Sequence, residues 1–163
     1  KFKVDSTGQI YSDANVFIIQ PADLAEWNKV EGPLVSYEVG TVVQQSDIDL
    51  TVKLADSTDN RVYGVVTDRA TFLGGLTGVD KSILKELTDG EIEREFNAKK
   101  IAMVGHIRIK VKDPVRIGQS LALSEEAGIA RAALTFRDKV LSFGIARESY
   151  DSTDVGIIEA RLL

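Results

Sequence analysis

Residues 105–112 alternate without a fault. Ile107, Ile109 and Val111 point to one side of an extended chain, and His106, Arg108, Lys110 and Lys112 to the other. On a helix the same apolar residues would be scattered around the axis; on a strand they share one face. The pattern therefore predicts a half-buried β-strand. The wider stretch, IAMVGHIRIKVKDPVRIGQSLALSEEAGIARAA, reads as strand, turn, strand, turn, strand, with glycine or proline at each corner. Nothing in it is built for catalysis.

The rest of the chain repeats this texture. Phe2-Lys3-Val4 and Gln9-Ile10-Tyr11 flank the turn-forming Asp5-Ser6-Thr7-Gly8, and Val16-Phe17-Ile18-Ile19 predicts a short strand stopped by Pro21. Residues 21–27 predict one helical turn or an irregular corner, anchored on the sheet by Trp27. Leu34 to Tyr37 predicts a strand, as does Thr41-Val42-Val43. Residues 48–54 alternate, with Ile48, Leu50, Val52 and Leu54 on one face. A polar loop, residues 56–60, leads to the strand Val62-Tyr63-Gly64-Val65-Val66, whose glycine marks a bulge or a close backbone approach. Between residues 67 and 100 the pattern changes. Gly74, Gly75 and Gly78 predict a mobile loop, Asp80 caps a helix carrying Ile83, Leu84 and Leu87, and Ile92 and Phe96 mark a second helical turn. The run from Val140 to Ala146 and a last strand from Val155 to Leu162 close the chain. Residues 1–163 are thus expected to form a single β-rich domain with a loop–helix insertion at about 67–100. The fold class is mainly β, an antiparallel barrel or sandwich with one short helical insertion.

Composition excludes several classes of function. The 163 residues are 44% hydrophobic, enough for a sizeable core, and carry a formal net charge of -5. A mixed, mildly acidic surface argues against a nucleic-acid partner, which calls for a basic one. No apolar run approaches the ~20 residues of a membrane span, and the start, KFKVDSTGQ, lacks the apolar centre of a signal peptide. Lys1 as first residue leads us to expect a fragment, a processed product or a trimmed form. Without cysteine there are no disulfides, thiolate metal sites or cysteine nucleophiles.

The remaining chemistry is sparse. His106 is the one histidine, on the polar side of its strand beside Arg108 and Lys110. A catalytic histidine needs a nucleophile to activate and an acid to orient it, and no nucleophile-elbow motif is present. A surface or interface position, open to pH, is the simpler reading. Asp23 and Glu26, and the acidic loops at 47–49 and 56–59, lack the spacing of a calcium loop, so no metal is expected. The glycines at 74–78 precede a helix but lack the phosphate-binding signature, and no cofactor is expected. Arg108, Lys110 and Lys112 form a basic stripe without interleaved aromatics, a solvated face or a contact with an acidic surface of another copy. Trp27, Tyr37, Tyr63 and Tyr150 form no sugar-stacking cluster along the chain.

Several segments, taken in order, form a larger pattern. They are Phe2-x-Val4-Asp5-x-x-Gly8-x-Ile10-Tyr11, Ala22-Asp23-Leu24-Ala25-Glu26-Trp27, Val39-Gly40-Thr41-Val42-Val43 and Val62-Tyr63-Gly64-Val65-Val66. After them come the glycine-led strand from Gly105, then Ile117-Gly118-Gln119-Ser120-Leu121 and Gly128-Ile129-Ala130-Arg131-Ala132. This order resembles the C-terminal domains of bacteriophage tail-fibre and neck-appendage proteins and related bacterial fibre ends. Two departures stand out: Gln119 replaces the usual aspartate of a GDxL turn, and the segment from Leu73 to Lys100 is longer than in the pattern. The resemblance implies a non-enzymatic structural module of a phage particle, serving oligomeric assembly and attachment and extracellular once assembled. Its implied partners are further copies of itself, with a trimer favoured, other virion proteins and a host surface receptor. His106, Arg108, Lys110 and Trp27 become the candidates for a surface or subunit interface. Some relatives are intramolecular chaperones that trimerise a fibre and then cleave themselves off; no cleavage residue carries over, and the neighbours Asp5 and Ser6 are assigned no role. A capsid decoration protein is the third reading.

Overall fold

The alternating segment becomes the longest strand of the protein, Ala98–Val111, and the sheet is organised around it. The computed structural model describes residues 2–4, 10–12, 23–58 and 61–163. In chain order the strands are β1 Phe2–Val4, β2 Ile10–Ser12, β3 Asp23–Val30, β4 Val42–Gln45, β5 Thr51–Leu54, β6 Val62–Val66 and β7 Phe72–Leu76. Two helices follow, α1 Lys81–Glu86 and α2 Asp89–Phe96, then β8 Ala98–Val111, β9 Ser120–Leu123 and β10 Ala130–Ala132. Helix α3, Phe136–Val140, precedes β11 Gly144–Ala146 and β12 Gly156–Leu162. The chain is mainly β, as its alternation predicts. Strands β1 and β2 pair as a small antiparallel sheet of their own.

The other strands form one sheet that closes on itself twice. One ring runs β8, β6, β4, β5, β3 and back to β8; the other runs β8, β12, β11, β9, β10 and back to β8. A strand of 14 residues is long enough to serve both. Its first half, with Ala98 to Gly105, pairs with β3. Its second half, from Gly105 to Val111, pairs antiparallel with β12. At the junction Gly105 takes a φ of 120°, a conformation closed to other residues, and β8 passes through this glycine without turning. The corner expected there is absent. Most pairings are antiparallel, whereas β3–β5, β3–β7 and β8–β10 are parallel.

On β4, β6 and the first half of β8, successive residues feed different cores. Val42, Val65, Ala102, Ile107, Ile109, Val111, Leu121 and Ile158 belong to the largest. Val43, Val66 and Ile101, each one position away on the same strands, join Val30, Tyr37 and Val52 in a second. In this part of the sheet, alternation thus places apolar residues on both faces, and each is covered. Gly64 is the close approach that the glycine in β6 suggests: a Cβ there would lie 2.3 Å from the carbonyl oxygen of Ala102 on β8. The third core joins Trp27 and Ala98 to Leu76 and to Ile92 of α2, which roofs this end of the sheet. Capping starts both insertion helices. Asp80 accepts from the Ser82 amide, and Thr88 and Glu91 form a reciprocal capping box.

The structure corrects several expectations. Residues 23–27 form the start of strand β3 rather than a helical turn, because Ala25 and Trp27 alternate inward and both edges of the strand find partners. Residues 34–36 form a 3-10 turn rather than a strand; Pro33, with no N–H of its own, accepts from the Ser36 amide and sets the turn. The strand at 48–54 begins only at Thr51, since Ile48 and Leu50 stand at the exposed tip of the β4–β5 hairpin. Gly74 and Gly75, expected in a loop, are inside β7, where Gly74 admits the pressing Glu26 side chain. The run from Val140 to Ala146 is divided between the end of α3 and β11, so a helix exists outside the insertion. The turn at 5–8 and the strand at 16–19 lie outside the described residues.

Candidate functional site

The polar face of β8 is the one place where the sequence gathers candidate residues. Pairing with β12 sets His106 opposite Arg161, Arg108 opposite Glu159 and Lys110 opposite Ile157. The three thus share one outward face, while Ile107 and Ile109 are buried behind them. Trp27 does not join them. It is 4% exposed inside the third core, where the Lys100 ammonium lies 5.3 Å from the ring centroid. Trp27 is therefore no surface residue of the single chain; the strand that carries it turns its indole toward α2.

The basic stripe is neutralised within the chain. Arg108 donates to both carboxylate oxygens of Asp68, at 2.6 Å and 2.5 Å. Lys110 donates to Glu38 at 2.8 Å and Lys112 to Glu126 at 2.9 Å. The Arg147 guanidinium lies 2.8 Å from His106 Nδ1. Each acid comes from a loop that folds over the strand, so the stripe acts as a row of sockets for three connections. The electrostatic consequences follow. The hydrogen bond from Arg108 holds the Asp68 carboxyl below the usual range, that from Lys110 lowers Glu38, and Glu126 raises the Lys112 ammonium. Beside the stripe, Arg69 donates to Glu159 at 2.8 Å, and this bond raises the guanidinium further.

No reaction centre emerges around these groups. One cleft, about 600 Å³, is lined by Lys112, Asp113, Ser124, Glu125, Glu126 and Arg131. Its Ser124 hydroxyl donates to the Glu126 carbonyl, and both its cations are already paired to carboxylates. Among the described residues no group of three histidine, aspartate or glutamate side chains is placed to hold a metal. Among them too, no helix is long and apolar enough to cross a membrane.

No family model and no curated protein matches this chain. Its fold is similar to that of bacteriophage phi29 gene product 12. The crystal structure of the pre-mature phi29 protein superposes with a TM-score of 0.62 at 13% identity, covering 99% of this chain and 24% of that one. The crystal structure of the phi29 gene product 12 C-terminal fragment gives a TM-score of 0.58, also at 13% identity, covering 86% of this chain and 100% of the fragment. This chain therefore spans about a quarter of the length of the pre-mature protein. At such identity the likeness is one of fold.

Two features of the surface escape a reading of the sequence. The first is the apolar row formed by Phe72 on β7, Leu24 on β3 and Val104 on β8, which are direct neighbours across the strands and all exposed. Beyond it, the outer edge of β7 has no strand partner among the described residues. The second is the anchoring of α3. Asp138 accepts from both Arg131 nitrogens at 2.9 Å and from the amides of Leu134 and Thr135, while Thr135 caps the helix in return. The Thr135-x-x-Asp138 spacing was the available signal for this helix. Hydrogen bonding, Arg131 first, holds the Asp138 carboxyl far below the usual aspartate range. Asp138→Ala is expected to cost about 2 kcal/mol, from a lost cap and a lost charge-assisted pair. The depressed carboxyl contributes fully above the unfolded-state value, near pH 4, and its contribution fades as pH falls through the lower folded-state value. Urea melts of the two proteins should therefore differ by a constant amount above about pH 5 and converge in stronger acid.

Proposed function

We propose that this chain is a non-enzymatic structural module of a phage virion, an appendage or fibre domain that assembles as a homo-oligomer, most simply a trimer, and serves attachment. The observation that carries the reading is the fold shared with a phage gene product over 99% of this chain. The ordered motifs from Phe2 to Ala132, which resemble those of phage fibre and appendage proteins, point the same way. One surface feature supports assembly, and another turns inward. The row of Phe72, Leu24 and Val104, bordered by the unpartnered edge of β7, suits a surface covered by another chain. The stripe of His106, Arg108 and Lys110 is occupied by bonds within the chain, so it serves first as a brace for the fold. Light scattering at micromolar concentration should report an oligomer, and a monomer would overturn the assembly reading. Electron microscopy of labelled particles should place the domain on tail or appendage. Label on the capsid shell would instead assign it to the decoration proteins.

A second reading has its own support. Of the two similar structures, one is of a pre-mature protein and the other of a C-terminal fragment that matches this chain along its whole length. Those facts favour a domain that helps a fibre assemble and is then cut away. Expression behind the native upstream segment, followed by mass spectrometry, separates the readings. Spontaneous cleavage establishes the chaperone, and an intact chain leaves the permanent module.

A further inference from the structure

We propose that copies of this chain join head to tail, the tip of the β4–β5 hairpin of one copy seating on helix α3 of the next. The inference rests on the homo-oligomer reading and names its contact.

The tip presents an acidic, apolar knob. Asp47, Ile48, Asp49 and Leu50 are all exposed, Ile48 at 57% and Leu50 at 60%. The knob is held rigidly. The Ser46 amide donates to the Thr51 carbonyl at 2.9 Å, the Ile48 amide to Ser46 Oγ at 3.1 Å, and Thr51 Oγ1 to the Asp49 carbonyl at 3.2 Å. Leu50 has a φ of 57°, a left-handed conformation that a leucine adopts at a cost, and it turns an apolar side chain to water. Strain spent on exposing a leucine is accounted for when the side chain is needed outside the chain. Among the described residues Asp47 pairs with Lys53 alone, at 3.5 Å, with its own side chain 93% exposed.

Helix α3 presents the complementary surface. Phe136 is 84% exposed and Val140 66%, one turn apart on the same side, with Leu134 beside them at 73%. Arg137 and Lys139 are exposed on this helix and make no ion pair among the described residues, in contrast to the paired cations of β8. The bond between Asp138 and Arg131 fixes the helix and leaves those two charges free. An acidic apolar knob thus faces, on another part of the same molecule, a basic apolar platform.

The two cannot meet within one chain. The tip precedes β5, whereas Ser57, just beyond the far end of β5, lines a cleft together with Arg137, Asp138 and Leu141 of the α3 region. Tip and helix therefore flank opposite ends of the strand. A contact between unlike surfaces of identical copies is heterologous, and it propagates until the ring closes.

Charge exchange tests the contact. Asp47→Lys with Asp49→Lys, and separately Arg137→Glu with Lys139→Glu, should each weaken self-association about 100-fold or more, because like charges then face each other. The fourfold variant, which carries both reversals, restores opposite charges and should return to within about tenfold of the parent. The readout is light scattering across a concentration series, with circular dichroism verifying the fold of every variant. An oligomeric parent whose twofold variants associate unchanged would overturn this contact and leave the oligomer standing. Failure of the fourfold variant to reassociate would overturn it as well. A monomeric parent would remove both this contact and the homo-oligomer reading.

Discussion

Gly64→Ala is expected to be among the most damaging single-methyl changes this protein can suffer. The added Cβ would lie 2.3 Å from the Ala102 carbonyl oxygen and 2.7 Å from Ile101 Cγ2. The first of these is backbone in a paired strand and cannot swing aside. Relief requires parting β6 from β8, although Val65 and Val66 pair there with Ala102 and Ile101, and β6 closes one ring of the sheet. The cost should reach about 3 kcal/mol or more, at the upper end of overpacking. Urea or thermal denaturation measures it, and a stability within about 1 kcal/mol of the parent would show that β6 and β8 are not so closely apposed. Gly90→Ala is the matched control. Gly90 is in α2, where a Cβ meets only the far end of Arg94 at 3.6 Å. Alanine there should leave stability unchanged or raise it by up to about 1 kcal/mol.

The second large effect is expected at Ile109. Its side chain is fully buried in the largest core, at the half of β8 that pairs with β12. Truncation to alanine removes the transfer free energy of three carbons and leaves a cavity, together worth about 2–5 kcal/mol. Because β8 belongs to both rings, damage to one half should be felt by the other. Trp27, in the third core beside the first half of β8, reports on that other half. The fluorescence and far-UV circular dichroism transitions of Ile109→Ala should therefore shift together and remain coincident. Two separated transitions would mean that the rings unfold independently. Ile157→Ala, opposite Lys110 on the exposed face of β12, should cost less than about 1 kcal/mol.

These effects show what kind of information a strand carries. The alternation from His106 to Lys112 was legible because one face of β8 meets a core and the other meets water, and a period of two follows directly. The first insertion helix was legible for a similar reason: Asp80 acts within two residues of its own position, whereas the Thr88 cap that starts α2 at Asp89 was not read. Leu34 to Tyr37 was misleading because three apolar or β-prone residues, Leu34, Val35 and Tyr37, fit a strand equally well until Pro33 organises them as a turn. Gly74 and Gly75 were misleading in the opposite sense. Glycine suggests a loop, yet here both extend β7, and the neighbouring strand carries Glu26, whose side chain needs the space at Gly74. Alanine and tryptophan at 25 and 27 fit strand or helix alike, and only the partners on both sides decide.

The candidate site divides in the same way. Residue type and spacing already specify a mainly β chain, the side of β8 that carries His106, Arg108 and Lys110, and the absence of cysteine chemistry. All of these depend on residue type and on spacing along the chain. Closure of the fold is what brings Arg108 to Asp68, forty residues away, and Lys110 to Glu38, seventy-two residues away, and encloses Trp27 with Ile92. It also decided that β8 serves two rings, and that the Asp47–Leu50 tip and α3 are left uncovered at opposite ends of β5. The reason is physical: a side chain's periodicity is set by its own backbone, whereas its partner is set by which distant segment the closure of the sheet brings beside it.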